Sequence, residues 1–584
     1  MSTQDLLAKI GQSTEETEFY TPMPPGYKPG HHKYVIVVGT VISGLGKGIF
    51  ASSLAKLMQD KGLRVAPIKM EGYYNIDSGT LNPYRHGEVF VLDDGMETDM
   101  DLGTYERLLD QDLNKANFTT NGQIMSSVLK KEREGSYLGR DVQAIPHVTG
   151  EIKLRLRELA VKSNADVVFV EVGGTVGDYE TMHYLEACRQ LAFEEGEGSV
   201  VFVALTYILE PNAVGEQKSK AAQLGIKRLM EVGIMPHIIA CRAGREVNAK
   251  VREKIAMYTN VPMRRVVSMH DLDSIYLIPD ALRDVGIDRE VLTLLNLHDR
   301  VDSRKEDRAR RGWNWFVERI GKSKKSVTVA VTGKYVALRD AYASIIKACE
   351  HCSVHLGVEV EIVWLDTTQI DATNVAKRLA NVQGIIVPGG FGSRGTEGKI
   401  ECIRYARENK IPYLGLCLGF QMAVIEFARN VCNLPDACST EFEPDCKDAV
   451  IDILPEQKKI EGLGGNMRLG GKEVELKPGT IAAKLFNNAK TTHLRFRHRY
   501  EVDPKYIPTL EQHGLIFSGK HPTQPIMQIL ELPQSVHPYF VGTQAHPELT
   551  SRPLRPQPLF MGFVSAVAEY AAQQEKSPRT PQTV

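Results

Sequence analysis

Cys417 lies between two glycines in Gly415-Leu416-Cys417-Leu418-Gly419, where an apolar run gives way to a helical pattern. At a tight strand-to-helix turn, flanking glycines tolerate a strained backbone and the helix N-terminus stabilises a thiolate. Such a nucleophile needs a base. His546, in Gln544-Ala545-His546-Pro547-Glu548, offers an imidazole, and Glu548 two residues on can orient it. Pro388-Gly389-Gly390-Phe391-Gly392 follows another apolar run and can present backbone amides to a tetrahedral oxyanion. Taken singly, these are a buried cysteine, a loop histidine and a glycine turn; together they describe covalent thiol chemistry on an acyl group.

A second chemistry sits far upstream. Val35 to Val38 leads into Gly39-Thr40-Val41-Ile42-Ser43-Gly44-Leu45-Gly46-Lys47-Gly48, followed by a helical segment. Glycines let backbone amides converge on phosphate oxygens, the helix start adds partial positive charge, and Lys47 can reach terminal phosphates. The match to a standard phosphate loop is imperfect: Gly48 stands where Ser or Thr would hold magnesium, so carboxylates from elsewhere must do so. Glu171 ends an apolar strand before Gly173-Gly174-Thr175, and Asp99 and Asp101 lie in the acidic run Asp93 to Asp101. On composition alone a solvated acidic loop is as good a reading of that run as a metal site.

The elements that must hold these groups alternate in kind. Short β-rich runs at 34–38, 65–70, 167–172, 200–206 and 238–241 are separated by helical segments, the pattern of a parallel α/β sheet with ligands at the carboxyl ends of its strands. A second series starts at 327–332 and continues through 358–365, 384–388 and 411–416. The expected fold class is therefore α/β, with two parallel-sheet domains. The bounds read from composition are an N-terminal flexible extension over 1–32, a first domain over 33–298, a charged linker containing a helix over 299–325, a second domain over 326–572 and a disordered tail over 573–584.

Composition narrows the function classes. Seventy-one basic and 72 acidic side chains nearly cancel in 584 residues, so no net field favours nucleic acid or an anionic membrane. The apolar runs are far shorter than the roughly 20 residues that span a bilayer. The residues before Lys33 have neither an apolar signal core nor an Arg-rich amphipathic pattern. These features predict a soluble, cytoplasmic protein. Nine cysteines, odd in number and mostly in periodic apolar segments, predict reduced thiols. Cys349 and Cys352 have metal-pair spacing but sit on a helical pattern with no second pair, so a core helix is expected there rather than zinc.

Several longer motifs resemble the CTP synthase family, glutamine-dependent amidoligases: Ser43 to Gly48, His86-Gly87-Glu88-Val89-Phe90-Val91, Asp99-Met100-Asp101-Leu102-Gly103, Glu171 to Asp178, Ser274-Ile275-Tyr276 and Arg497-His498-Arg499-Tyr500-Glu501. The resemblance covers residues 33–570. It implies a synthetase domain of the P-loop NTPase kind followed by a class I glutamine amidotransferase domain, with Cys417, His546 and Glu548 as its triad. It further implies ATP along Ser43, Gly44, Leu45, Gly46, Lys47 and Gly48 and near Asp101, His270, Asp271 and Leu272. Magnesium would use Asp101 and Glu171. The uridine nucleotide would contact Ser43, Lys218, Ser219, Lys220, Ala221, Ala222, Gln223 and Lys254, and product CTP, a feedback inhibitor, would add Asp178, Tyr179 and Glu180. Glutamine would be held by Gly390, Leu418, Gly419, Phe420, Gln421, Glu441 and Arg499, with His86 beside an ammonia passage. The family's GTP activation, homotetramers and filaments are implied likewise.

The activity so implied is amination of UTP to CTP through a 4-phosphorylated intermediate, with ammonia passed from the glutamine site. Some positions depart from the family pattern. Ala221-Ala222 replaces Pro-Thr, Glu71-Gly72 replaces Asp-Pro, Arg85 stands where glutamine or glutamate is common, and Ala545 replaces an aromatic residue. Two other readings share parts of this chain: another ATP-driven glutamine amidoligase with a carboxylate substrate, and a nucleotide-binding filament or regulatory protein with little turnover. Residues 218–223 and 178–180 speak against the first. The intact triad, Lys47 and Glu171 speak against the second.

Overall fold

A computed structural model describes residues 20–137, 139–213, 215–334, 338–453 and 467–576. Most of the proposed N-terminal extension and the end of the tail lie outside them. The chain divides into two compact units that interleave in sequence: one holds the described residues up to Thr80 together with Thr104–Trp313, the other Leu81–Gly103 together with the described residues from Asn314. The contiguous bounds drawn from composition could not show this, because an excursion of some twenty residues carries no shift in composition of its own.

In the first unit, strands β1 (Lys33–Gly39), β2 (Val65–Glu71), β3 (Phe118–Thr120), β4 (Val167–Val172), β5 (Val200–Tyr207), β6 (Ile238–Ala243) and β7 (Val266–His270) form one sheet in the order β3-β2-β4-β1-β5-β6-β7. Every pairing is parallel. Helices cover both faces of such a sheet, so its strands read as unbroken apolar runs. Tyr34, Val35, Ile36, Val37 and Val38 of β1 are all buried, and each aliphatic side chain so enclosed contributes about 1.5–3 kcal/mol. Helix α1 (Lys47–Asp60) follows β1 and is buried along nearly its whole surface.

The second unit is built on a nine-stranded sheet. Its strands are β8 (Lys325–Gly333), β9 (Val358–Asp366), β10 (Gly384–Val387), β11 (Tyr413–Leu416), β12 (Arg468–Leu476), β13 (Thr491–His498), β14 (Ile516–Lys520), β15 (Met527–Glu531) and β16 (Phe540–Thr543), in the order β9-β8-β10-β11-β16-β15-β14-β12-β13. The strands from β9 to β16 run parallel; from β15 onward the pairing is antiparallel. The sheet is thus mixed rather than wholly parallel. The antiparallel extension joins its strands through short connections such as 521–526, which cannot make a parallel crossover.

Helix α2 (Ser303–Val317) occupies the charged segment expected as a linker, and the division between units falls inside it. Its few apolar residues explain its stability: Trp313 is buried against Tyr276 in the first unit, and Phe316 is buried near His351 in the second. Cys349 and Cys352 lie in the second unit's core on helix α3 (Ala343–Leu356), and burial raises the Cys349 thiol to about 12. The last helix, α4 (Pro558–Lys576), continues four residues into the stretch predicted as disordered tail, since Gln573-Gln574-Glu575-Lys576 are good helix formers. Cys438 and Cys446 lie close together, their Cα atoms 6.3 Å apart across the turn at 440–445, while the other seven cysteines are free and buried.

Candidate functional site

The thiol site of the second unit lies at the carboxyl ends of its parallel strands. Cys417 follows β11 and precedes helix α5 (Leu418–Asn430), with φ 51° and ψ −99°, a region L residues rarely occupy. The strain is held by Cys417 N donating to Thr543 O at 2.7 Å, a bond to the start of the segment that carries the base. Such strain in an over-determined turn is expected where a side chain must be presented at a fixed point.

His546 hydrogen-bonds the Cys417 thiol on one side, and on the other its Nδ1 lies 2.7 Å from Glu548 Oε1. Burial acts to lower the imidazole pKa, but Glu548 and Cys417 outweigh it and hold the ring well above its ordinary range. The arrangement favours the protonated imidazolium at His546. The thiol also donates to Arg497 O and accepts from Gln544 Nε2, both at 3.6 Å.

The proposed oxyanion loop runs past both groups. A Cβ at Gly389 would stand 2.8 Å from His546 Cε1 and 3.5 Å from Cys417 Cβ, so only glycine allows this approach. Lys399, fully buried, donates from Nζ to Pro388 O at 3.1 Å, and burial together with the charge of Lys334 brings its pKa down to about 7. Glu441 accepts from Gly392 N at 2.8 Å; burial raises its pKa, while that hydrogen bond, Lys334 and Arg499 oppose the rise. Glu441 thus meets the glycine loop at Gly392 and feels the charge of Arg499, a Cβ on Gly390 would touch Leu418, and α5 from Leu418 through Gly419 and Phe420 to Gln421 follows Cys417 directly. Gln421 Nε2 donates to Tyr500 O at 3.0 Å and to Gln544 Oε1 at 3.1 Å. Gln544, Lys399 and the carbonyl of Arg497 were missed in the sequence. Gln544 had a usable signal, its place two residues before the base.

In the first unit, Gly46 caps α1 in the left-handed conformation, and Lys47 Nζ donates to Gly174 O at 2.8 Å. Val176 N donates to Gly39 O at 2.9 Å, so the Glu171-to-Asp178 stretch lies against the phosphate loop. Ser43 to Gly46 form the turn itself, Lys47 and Gly48 open α1, and Met269, next to His270, Asp271 and Leu272, approaches Gly46. Glu171 is buried at the end of β4. Tyr105 Oη donates to its Oε2 at 3.2 Å, and Lys69 Nζ lies 3.6 Å from its Oε1 and 3.2 Å from Glu71 Oε1. Lys69 went unassigned in the sequence; a buried lysine ending an apolar strand beside a phosphate loop was the signal.

Among the described residues no group of three His, Cys, Asp or Glu side chains forms a metal cluster. The buried carboxylate of Glu171, in the stretch that lies against the phosphate loop, suits magnesium, which takes one or two carboxylates and completes its shell with phosphate and water. Asp101 belongs to the excursion that groups with the second unit, as does the exposed His86.

Lys218, Ser219, Lys220, Gln223 and Lys254 line a cavity of about 380 Å³. Ala222 is buried, and neither Ala221 nor Ala222 lines the cavity. Ser43, Asp178, Tyr179 and Glu180 are not part of its wall. Asp178 instead accepts from Thr175 N at 2.7 Å, and Tyr179 is almost wholly exposed.

A strained cysteine, an imidazole and a glutamate at the edge of one α/β unit, with a phosphate loop on another, define an amidotransferase joined to a nucleotide-dependent synthetase. Residues 33–297 match the family model described as CTP synthase N-terminus, and 337–566 match glutamine amidotransferase class-I. The CTP synthase of Methanopyrus kandleri is 47% identical over 538 residues, 92% of this chain and 99% of that one. That of Pyrococcus furiosus is 47% identical over 546 residues, 93% and 99% of the two chains. The solved glutaminase domain of Trypanosoma brucei CTPS with bound acivicin is 36% identical, covering 42% of this chain and 94% of that one, with a TM-score of 0.39. The chain belongs to the CTP synthase family, glutamine-hydrolysing ligases that form a C–N bond. No described helix is long and apolar enough to cross a membrane.

Proposed function

We propose that this chain aminates UTP to CTP, with Cys417, His546 and Glu548 releasing ammonia from glutamine and the Lys47 loop activating the acceptor with ATP. The observation that carries the reading is the thiol–imidazole–carboxylate chain, Cys417 to His546 to Glu548, together with an intact phosphate loop in the same polypeptide.

Cys417 attacks the glutamine amide, the backbone amides at Gly389 and Gly390 stabilise the oxyanion, and His546 protonates the departing ammonia. Water then hydrolyses the glutamyl thioester. Gly390, Leu418 to Gln421, Glu441 and Arg499 hold the amino acid. Glu441, an acceptor, suits its ammonium group, and Arg499 its carboxylate.

At the acceptor, the carbonyl at uracil C4 has an oxide-like leaving group. Phosphorylation of O4 by ATP makes phosphate the departing group, so the reaction proceeds through a 4-phosphorylated UTP. Lys47 neutralises charge on the transferring phosphoryl group, and His270, Asp271 and Leu272 contact the ATP. Asp101 and Glu171 would hold magnesium, which when bound would further neutralise charge on the phosphates. Lys218 to Gln223 and Lys254 bind the triphosphate of the uridine nucleotide; the basic lining of their cavity supports this. Product CTP inhibits by overlapping that site and adding Asp178, Tyr179 and Glu180. Ammonia travels past His86 uncharged and sheltered from bulk water. The protein is cytoplasmic, responds to GTP and assembles as a homotetramer able to form filaments, all by family resemblance.

The test is CTP formation from UTP, ATP and magnesium with glutamine or ammonium as donor, for the natural chain and Cys417→Ala. The variant should lose glutamine use and keep ammonium use. No CTP from either donor with the natural chain would overturn the reading.

A further inference from the structure

Lys399 stands where local rules disfavour a charge. It is the fourth residue of helix α6 (Thr396–Glu408), near the positive end of the helix dipole, and it is 1% exposed. Burial and the charge of Lys334 act against its ammonium form, opposed only in part by Cys417, Cys402 and Glu441. Among the described residues no carboxylate pairs with it, and its Nζ donates instead to Pro388 O at 3.1 Å. A buried charge without an ion pair destabilises the fold, so the use of this one must be sought in the loop it holds.

That loop, Pro388 to Gly392, contains three glycines, and a glycine backbone turns over at little steric cost. A trans peptide carries its carbonyl and its N–H on opposite edges. The peptide that accepts from Lys399 through Pro388 O therefore directs the Gly389 N–H away from the lysine. A Cβ at Gly389 would stand 3.5 Å from Cys417 Cβ, which places this peptide beside the nucleophile. Further along, Phe391 O accepts from Lys334 Nζ and Gly392 N donates to Glu441 Oε1 at 2.8 Å, whereas the amides of Gly389, Gly390 and Phe391 meet no acceptor among the described residues. The loop is thus pinned at both ends, with its middle amides left for a ligand oxygen. A carbonyl that accepts from an ammonium group also polarises its peptide, so the N–H across it donates more strongly.

We propose that Lys399 is a positioning residue for the oxyanion loop: through Pro388 O it fixes and polarises the 388–389 peptide, so that the Gly389 N–H stabilises the tetrahedral intermediate on Cys417. The inference deepens the reading of Cys417 as a glutamine-hydrolysing nucleophile and rests on it. Without the bond from Lys399, the peptide is free to turn its amide off the substrate oxygen.

The test compares the full natural chain with Lys399→Met, which keeps nearly the length of the side chain and removes the donor. Glutamate release and CTP formation are measured with UTP, ATP and magnesium, and alkylation of Cys417 by iodoacetamide is timed. Displacement of iodide by the sulfur builds no oxyanion, so alkylation reports the nucleophile without the loop. In Lys399→Met, kcat for glutamine should fall by about 30-fold or more, approaching the roughly 10²–10³-fold that deletion of an oxyanion donor costs. KM for glutamine and the alkylation rate should stay within about threefold, and ammonium-dependent CTP synthesis within about twofold, because only a transition-state interaction is lost. The melting temperature at pH 7 should be no lower than that of the natural chain.

A full kcat in Lys399→Met would overturn the proposal. So would a raised KM or a slowed alkylation that accounts for the lost activity, since the lysine would then serve binding or the thiol itself. Lys399→Leu gives a second chain without the donor; unfolding of both variants would also overturn the proposal, because the fold would then require the lysine. A natural chain that makes CTP from ammonium and hydrolyses no glutamine would overturn the glutaminase reading and the inference with it, and only that outcome touches both.

Discussion

His546 Nδ1 lies 2.7 Å from Glu548 Oε1, and Glu548 is buried. With Cys417, this carboxylate keeps the imidazole pKa well above its ordinary range in spite of burial. In Glu548→Gln the ring loses its charged partner and its titration should fall back toward ordinary histidine values. Glutamine-dependent CTP formation should drop by about 10²-fold or more, as for other triads losing their orienting carboxylate, while ammonium-dependent synthesis persists. NMR titration of the His546 ring reads the shift directly.

Lys399 gives a pH dependence of stability with a definite sign. Its pKa is lowered from 10.5 in the free side chain to about 7, by burial first. Between those values the unfolded chain holds the proton more firmly than the folded one, so stability rises with pH from about 7 to 10.5, and the penalty is complete below about 7. The slope per group is at most about 1.4 kcal/mol per pH unit. In Lys399→Met the melting temperature should therefore gain less between pH 7 and pH 9 than in the natural chain. An unchanged difference would mean that the amine stays charged in the fold.

Gly389→Ala would set a methyl group 2.8 Å from His546 Cε1. Neither the imidazole nor the loop can yield without spoiling the thiol–base contact. Glutaminase activity should fall at least tenfold with the melting temperature changed by only a few degrees, measured by glutamate release and by calorimetry.

Lys47→Ala removes the ammonium group that approaches the Glu171-to-Gly174 segment. CTP formation should fall by about 10²–10³-fold with either nitrogen donor, the cost of deleting one preorganised charge from a transition state. Glutamine hydrolysis, measured alone, should survive.

Replacing Lys218 or Lys254 by Ala opens the basic wall of the 380 Å³ cavity. Each lost charge-assisted contact is worth about 1.5–3 kcal/mol, so KM for UTP should rise about tenfold or more with KM for glutamine unchanged. Equal rises for both substrates would remove this cavity from the nucleotide site.

Sequence by itself determined the α/β class, five strands of the first sheet, four parallel strands of the second and the thiol turn, because buried parallel strands are written as unbroken apolar runs and sharp turns as glycines around one reactive residue. Val167–Val172 and Tyr413–Leu416 fall where those runs lie. Tertiary structure alone decided what approaches the turn from distant positions. The carbonyls of Arg495 and Arg497, the Lys399 amine under Pro388, Lys69 beside Glu171, and the docking of 81–103 on β13 are contacts across 11 to some 400 residues. Local periodicity reports only which face of an element is apolar; which polar group meets which depends on how whole elements pack, and no spacing along the chain encodes that.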